Sequence, residues 1–147
     1  MINWFKSARL SARRSGGYAA LMALLLACCV PSSAWADDVS ILGAKFRGGA
    51  QERWNVSVTL RHADTGWEHY ADAWRVISKD GAVFGTRTLL HPHETEQPFT
   101  RSLSGVDIPK AVTVVFIEAH DKVHGWAKQR LRVDLATARD GIVEAKP

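Results

Sequence analysis

The chain has 147 residues, 46% hydrophobic and 23% charged, a composition that excludes a disordered or fibrous protein and fits one domain. Its formal charge of +4 is no nucleic-acid signature. Lys6, Arg9, Arg13 and Arg14 are the only charged residues in the first 36 positions, and the remainder carries 15 basic residues (19 less these four) against 15 acidic ones. A neutral body has no electrostatic footprint for a phosphate backbone.

Residues 1–36 read as a bacterial export signal. A cationic segment, Met1–Gly17, leads into the apolar run Tyr18–Val30, and Pro31-Ser32-Ser33 ends any helix there. Ala34 and Ala36 place small side chains where signal peptidase requires them, and a 13-residue apolar run is too short for a stable membrane anchor. The expected location is periplasmic or secreted, with no membrane span after cleavage. The alternative is a lipoprotein anchored at Cys28, because Leu25-Leu26-Ala27-Cys28 resembles a lipobox. Both cysteines, Cys28 and Cys29, and both methionines, Met1 and Met22, fall in the segment to be removed. The mature chain then has no disulfide and no sulfur ligand for Cu(I).

The rest of the chain alternates with period two, as half-buried strands do. An opening strand is expected at Val39–Arg47, followed by Trp54–Arg61, where Trp54, Val56, Val58 and Leu60 share one face. Ala63-Asp64-Thr65-Gly66 reads as a turn, Trp67–Ser78 as the next extended run, and Lys79-Asp80-Gly81 as a hairpin into Ala82–Leu90. His91–Pro98, with two prolines, cannot be an interior strand. Phe99–Leu103 resumes extension, Ser104–Lys110 reads as a corner, and Val112–His120 is the richest β segment. Trp126–Leu135 closes the body, leaving residues 137–147 as a flexible tail.

Seven antiparallel strands over residues 37–136 predict an all-β two-sheet sandwich. The pattern resembles immunoglobulin-like and fibronectin type III-like domains, with Trp74 where such folds bury a tryptophan. It departs from them in lacking a cysteine pair and a tyrosine near the start of the Val112 strand. The resemblance implies a scaffold and no functional residues.

Threading these strands up and down delivers His62, His69, His91, His93, His120 and His124 to one pole, with Asp64, Glu68, Glu94, Glu96 and Asp121 and the aromatic residues Trp67, Tyr70 and Trp126. Imidazole and carboxylate ligands without thiolate suit Zn²⁺ or Cu(II). His91, His93 and His120 are the first metal-ligand candidates, because Pro92 fixes the His91–His93 spacing and His120 ends a strand; His124 and His62 follow, then His69. Glu94 or Asp121 is suited to orienting an imidazole. The expected function is therefore a small exported, non-enzymatic metal-binding protein. The alternative is a metal-free interaction module whose loops at the same pole bind a protein, peptide or glycan. No nucleophile elbow, zinc-protease helix motif, phosphate loop or dinucleotide fingerprint is present, so no enzyme chemistry is argued.

Overall fold

The computed structural model describes residues 38–49 and 53–147. The expected export signal, its expected cleavage position and Cys28 lie outside the described residues.

The described chain forms two antiparallel sheets. One has the order β5 (Phe99–Asp107), β2 (Arg53–Arg61), β1 (Ser40–Gly48), β9 (Ile142–Ala145). The other has the order β4 (Val83–Thr88), β3 (Ala71–Ile77), β6 (Val114–Asp121), β7 (Gly125–Trp126), with β8 (Leu131–Asp134) also pairing β6. The core lies between them, and alternation decides who enters it. Phe46 from β1, Val56, Val58 and Leu60 from β2, Trp74 and Val76 from β3, and Val115, Ile117 and Ala119 from β6 are all fully buried. Their polar neighbours face out, where Ser57 meets Ser102 and Thr59 meets Thr100 through hydroxyl hydrogen bonds of 2.8 Å each.

The strand count is nine among the described residues, against the seven expected. Two differences account for this. The closing run breaks into β7 and β8, and Ala127 N–H donates to Ala119 O between them. The C-terminal segment is not a loose tail: Ile142–Ala145 pairs with Ala44–Arg47 on the β1 edge, with Val143 buried opposite Phe46. Asp140 and Gly141, both at positive φ, turn the chain into that strand through reciprocal Arg139–Ile142 backbone bonds. An Asp-Gly pair before an apolar strand is the hairpin signature already read at Asp80-Gly81, where Gly81 also has positive φ.

Two boundaries move as well. The run expected to be extended from Trp67 begins as a strand only at Ala71, because Thr65 N–H donates to His69 O and His69 N–H to Gly66 O, closing a turn on Gly66 at φ 118°. The corner expected at Ser104 is instead a bulge inside β5. Gly105 (φ 72°) absorbs an extra residue between the pairs Val56–Leu103 and Trp54–Val106.

Candidate metal centre

The site grows out of the core rows. In β2 the inward positions Val56, Val58 and Leu60 are followed, one step beyond the strand, by His62, which is 2% exposed. In β6 the inward row Val115, Ile117, Ala119 ends in Asp121, 0% exposed. The same parity that buries valine and isoleucine thus carries an imidazole and a carboxylate into the end of the core. His69 enters from the Gly66 turn. One ligand atom from each of His62, His69 and Asp121 lies within 4.8 Å of the other two, a grouping that makes them the candidate ligand set.

The surrounding contacts fix the donor atoms. Asp64 Oδ1 accepts the Ala71 N–H at 3.0 Å and lies 2.6 Å from His62 Nδ1. A carboxylate oxygen can only accept, so the His62 proton belongs on Nδ1 and Nε2 is the unprotonated ring nitrogen. A carboxylate behind an imidazole is how protein metal sites orient and strengthen a histidine ligand. Asp121 uses one oxygen for structure: Oδ1 accepts the N–H groups of Val123 (2.8 Å) and His124 (2.7 Å) and lies 3.1 Å from His124 Nδ1. Its Oδ2 is buried with no hydrogen-bond partner, as is His69 Nε2, which stands 3.7 Å from Asp121 Oδ1. The rings stack edge to face, His62 to His69 at 4.9 Å and His69 to His124 at 5.1 Å.

Burial alone would push the Asp121 carboxyl up. The backbone N–H groups of His124 and Val123, helped by the fields of the His124 and His62 rings, outweigh that and hold it below its ordinary value. The site thus holds a buried carboxylate kept charged, with Oδ2 making no hydrogen bond. Tetrahedral zinc with N and O donors at about 2.0–2.1 Å needs them roughly 3.3 Å apart, and the present ligand atoms lie within 4.8 Å of one another.

The other candidates are placed as follows. His93 is buried, its ring stacked on Phe99 at 3.8 Å, and its backbone N–H donates to Asp64 Oδ2 at 2.6 Å. His91 is exposed and lies 4.5 Å from the His93 ring. His120 faces the outside of its sheet, where its Nδ1 contacts Asp72 Oδ1 at 2.5 Å and its ring meets Trp126 at 4.9 Å. His91, His93 and His120 are not among the residues brought together at the three-ligand cluster. His62 is, and His124 lies in its rim through Asp121. Glu94 takes no part in it. Contacts nonetheless connect five of the six histidines through Asp64, Asp121 and one another, and His120 adjoins Asp121 in sequence. Sequence parity alone points to His62 and Asp121; His69 sits in an irregular turn where no periodicity predicts its direction.

No helix among the described residues is long and apolar enough to cross a membrane. No family model matches the chain, and no solved structure matches it. The chain is similar to a protein of Halomicrobium mukohataei named "Putative lipoprotein", 41% identical over 110 residues, which cover 75% of this chain and 54% of the relative. The chain therefore spans about half the length of that curated relative.

Proposed function

We propose that this is an exported, non-enzymatic binding protein that captures a divalent transition metal, zinc or copper(II), through His62, His69 and Asp121. The observation that carries this is that His69 Nε2 and Asp121 Oδ2, on two residues of one three-residue cluster, are each buried without a hydrogen-bond partner. Each orphaned buried polar atom costs on the order of 1–3 kcal/mol, and a cation between them removes both costs. Asp64 supplies the orienting carboxylate for His62, and His124 stands close enough to add a fourth ligand or to shield the ion. Export is supported by the signal-like residues 1–36 and by the name of the Halomicrobium relative, which also favours the Cys28-anchored form. The scaffold reads as immunoglobulin-like: β1, β2 and β5 face β4, β3, β6 and β8, with Trp74 buried on the third strand.

A second reading, a metal-free interaction module, is favoured by apolar side chains exposed in the loops of the same pole, Trp67 at 62%, Leu90 at 74% and Val123 at 58%. Calorimetric titration of the purified protein with Zn²⁺ and Cu²⁺ separates the two. The metal reading expects a one-to-one isotherm that releases protons, weakens below about pH 6 and disappears in His69→Ala. Equal, weak heats from both proteins favour the interaction module.

A further inference from the structure

A second cluster lies at the open edge of the sandwich, where β4 of one sheet approaches β5 of the other. Two arginines occupy positions that alternation assigns to the core. Arg87 is the cross-strand partner of buried Trp74, and Arg101 that of buried Val58, so each shares the inner face with a core residue. Between them is a cavity of about 90 Å³, lined by Arg87, Leu89, Leu90, His91, His93 and Arg101. That is room for a few waters or one phosphate-sized group, and far below the volume of a drug-sized pocket.

The polar lining of this cavity is almost wholly cationic or hydrogen-donating, and much of it is unused. Arg87 Nε is buried with no hydrogen-bond partner, and no carboxylate among the described residues pairs with that side chain. Both ring nitrogens of His93, a residue 3% exposed, are likewise buried without a hydrogen bond; its Nδ1 stands 3.7 Å from Asp64 Oδ2. His91 Nδ1 lies 3.1 Å from Pro92 O, and Arg101 gives its NH groups to Thr100 O and to the exposed Glu96. Two guanidinium groups at core-facing positions on facing edges repel each other, and only Arg101 has a neutralising partner. A charge whose buried atom has no acceptor is costly, and no acceptor among the described residues pairs the buried Arg87 Nε.

We propose that this cavity binds a small oxyanion, held by the Arg87 guanidinium and the His93 ring edge in the positive field of Arg101. Planar guanidinium donors match the oxygen geometry of phosphate, sulfate or a carboxylate head. The electropositive character shows independently in His93, whose pKa is held below the ordinary imidazole value by burial and then by the charges of Arg101 and His91. The site is separate from the metal cluster, and the proposal stands whether or not that cluster binds an ion.

The test is titration of the purified, EDTA-treated protein with inorganic phosphate, sulfate and acetate at constant ionic strength, followed by calorimetry and by the chemical shifts of the His93 ring. Saturable one-to-one binding of at least one anion is expected. Its affinity falls at least tenfold in Arg87→Gln and again in Arg87→Lys, which keeps the charge but loses the planar donors, while Arg132→Gln, on the outer face of β8, leaves it within twofold. The phosphate, sulfate and acetate arms decide between a tetrahedral anion and a carboxylate. Failure of all three to saturate the wild-type protein overturns the proposal, as does equal binding by wild type and Arg87→Gln, which would mark a diffuse surface effect. If Arg87→Gln fails to fold, the wild-type His93 ring shifts decide: saturation that moves them supports the proposal, and saturation that leaves them unmoved overturns it.

Discussion

Two histidine–aspartate contacts of almost the same length sit at the end of the same sheet sandwich. His62 Nδ1 lies 2.6 Å from Asp64, with both side chains fully buried, and His120 Nδ1 lies 2.5 Å from Asp72, with each side chain 27% exposed. The inner pair belongs to a hub. Asp64 also accepts the backbone N–H groups of Ala71 and His93, and it ties the turn before β3 to the His91–Pro98 loop. The outer pair belongs to a surface ladder in which Trp126 is stacked by Arg75 at 3.7 Å, and Glu118 is bridged by both Arg75 and Arg130. Chemistry is the same and environment is not. Water can replace any partner of the outer pair, whereas each group of the inner one depends on the others. In β6, His120 points out and Asp121 points in, so one register step separates a surface contact from a buried carboxylate of the histidine cluster.

Removing the Asp64 hub has the largest expected effect. Asp64→Ala leaves two backbone N–H groups and the His62 ring without their acceptor, and should cost about 3–5 kcal/mol in urea unfolding of the metal-free protein. Asp72→Ala should cost about 0–1 kcal/mol in the same experiment. Similar losses from both substitutions would mean that burial does not distinguish the pairs.

Metal affinity sharpens the contrast next. His69→Ala and Asp121→Asn each remove a ligand atom and should weaken Zn²⁺ binding at least a hundredfold, while His120→Ala should change it less than twofold. His91→Ala should behave like His120→Ala. Competition with a chromophoric chelator reads these differences directly, and a large effect at His120 would move the site to the outer face.

A smaller effect is expected with pH. Burial and the neighbouring positive charges of Arg101 and His91 hold the folded-state pKa of His93 below 6.5, its ordinary value. The unfolded chain therefore takes up a proton at higher pH than the folded one. The His93 contribution is fully present above 6.5 and is lost as pH falls from there through the lower folded-state pKa. Stability of the metal-free protein, followed by urea midpoint, should decline across that window, and His93→Gln should flatten the decline. The Asp121 carboxyl, depressed below its ordinary value of 3.8, adds a second decline at more acidic pH. An unchanged slope in His93→Gln would contradict the assignment.

Much of this was legible in the sequence, and the reasons are specific. Alternation in Trp54–Leu60 and Val112–His120 gives the strands and their inner faces, and hairpin chemistry at Asp80-Gly81 gives the reversal that gathers the histidines. Which histidines meet is a subtler matter. The His91-Pro92-His93 spacing draws attention because it is local, yet Phe99 and Asp64 hold His93 in a different set of contacts from the cluster. His62 and Asp121 carry a quieter mark, since counting by twos from Val58 and from Ile117 lands on each. His69 carries none, because its direction depends on the Thr65–His69 backbone bond and on packing against His62 and His124. Arg87 and Arg101 were open to the same count, from Leu89 and from Phe99, and a charge at an inward position was the feature to notice.

The most direct measurement is a crystal of the protein grown with Zn²⁺ and recorded above the zinc absorption edge. One strong anomalous peak is expected at about 2.0–2.1 Å from His62 Nε2, His69 Nε2 and an Asp121 carboxylate oxygen, with Asp64 still on His62 Nδ1. A peak on His91, His93 or His120 instead, or no peak within reach of Asp121, would contradict it.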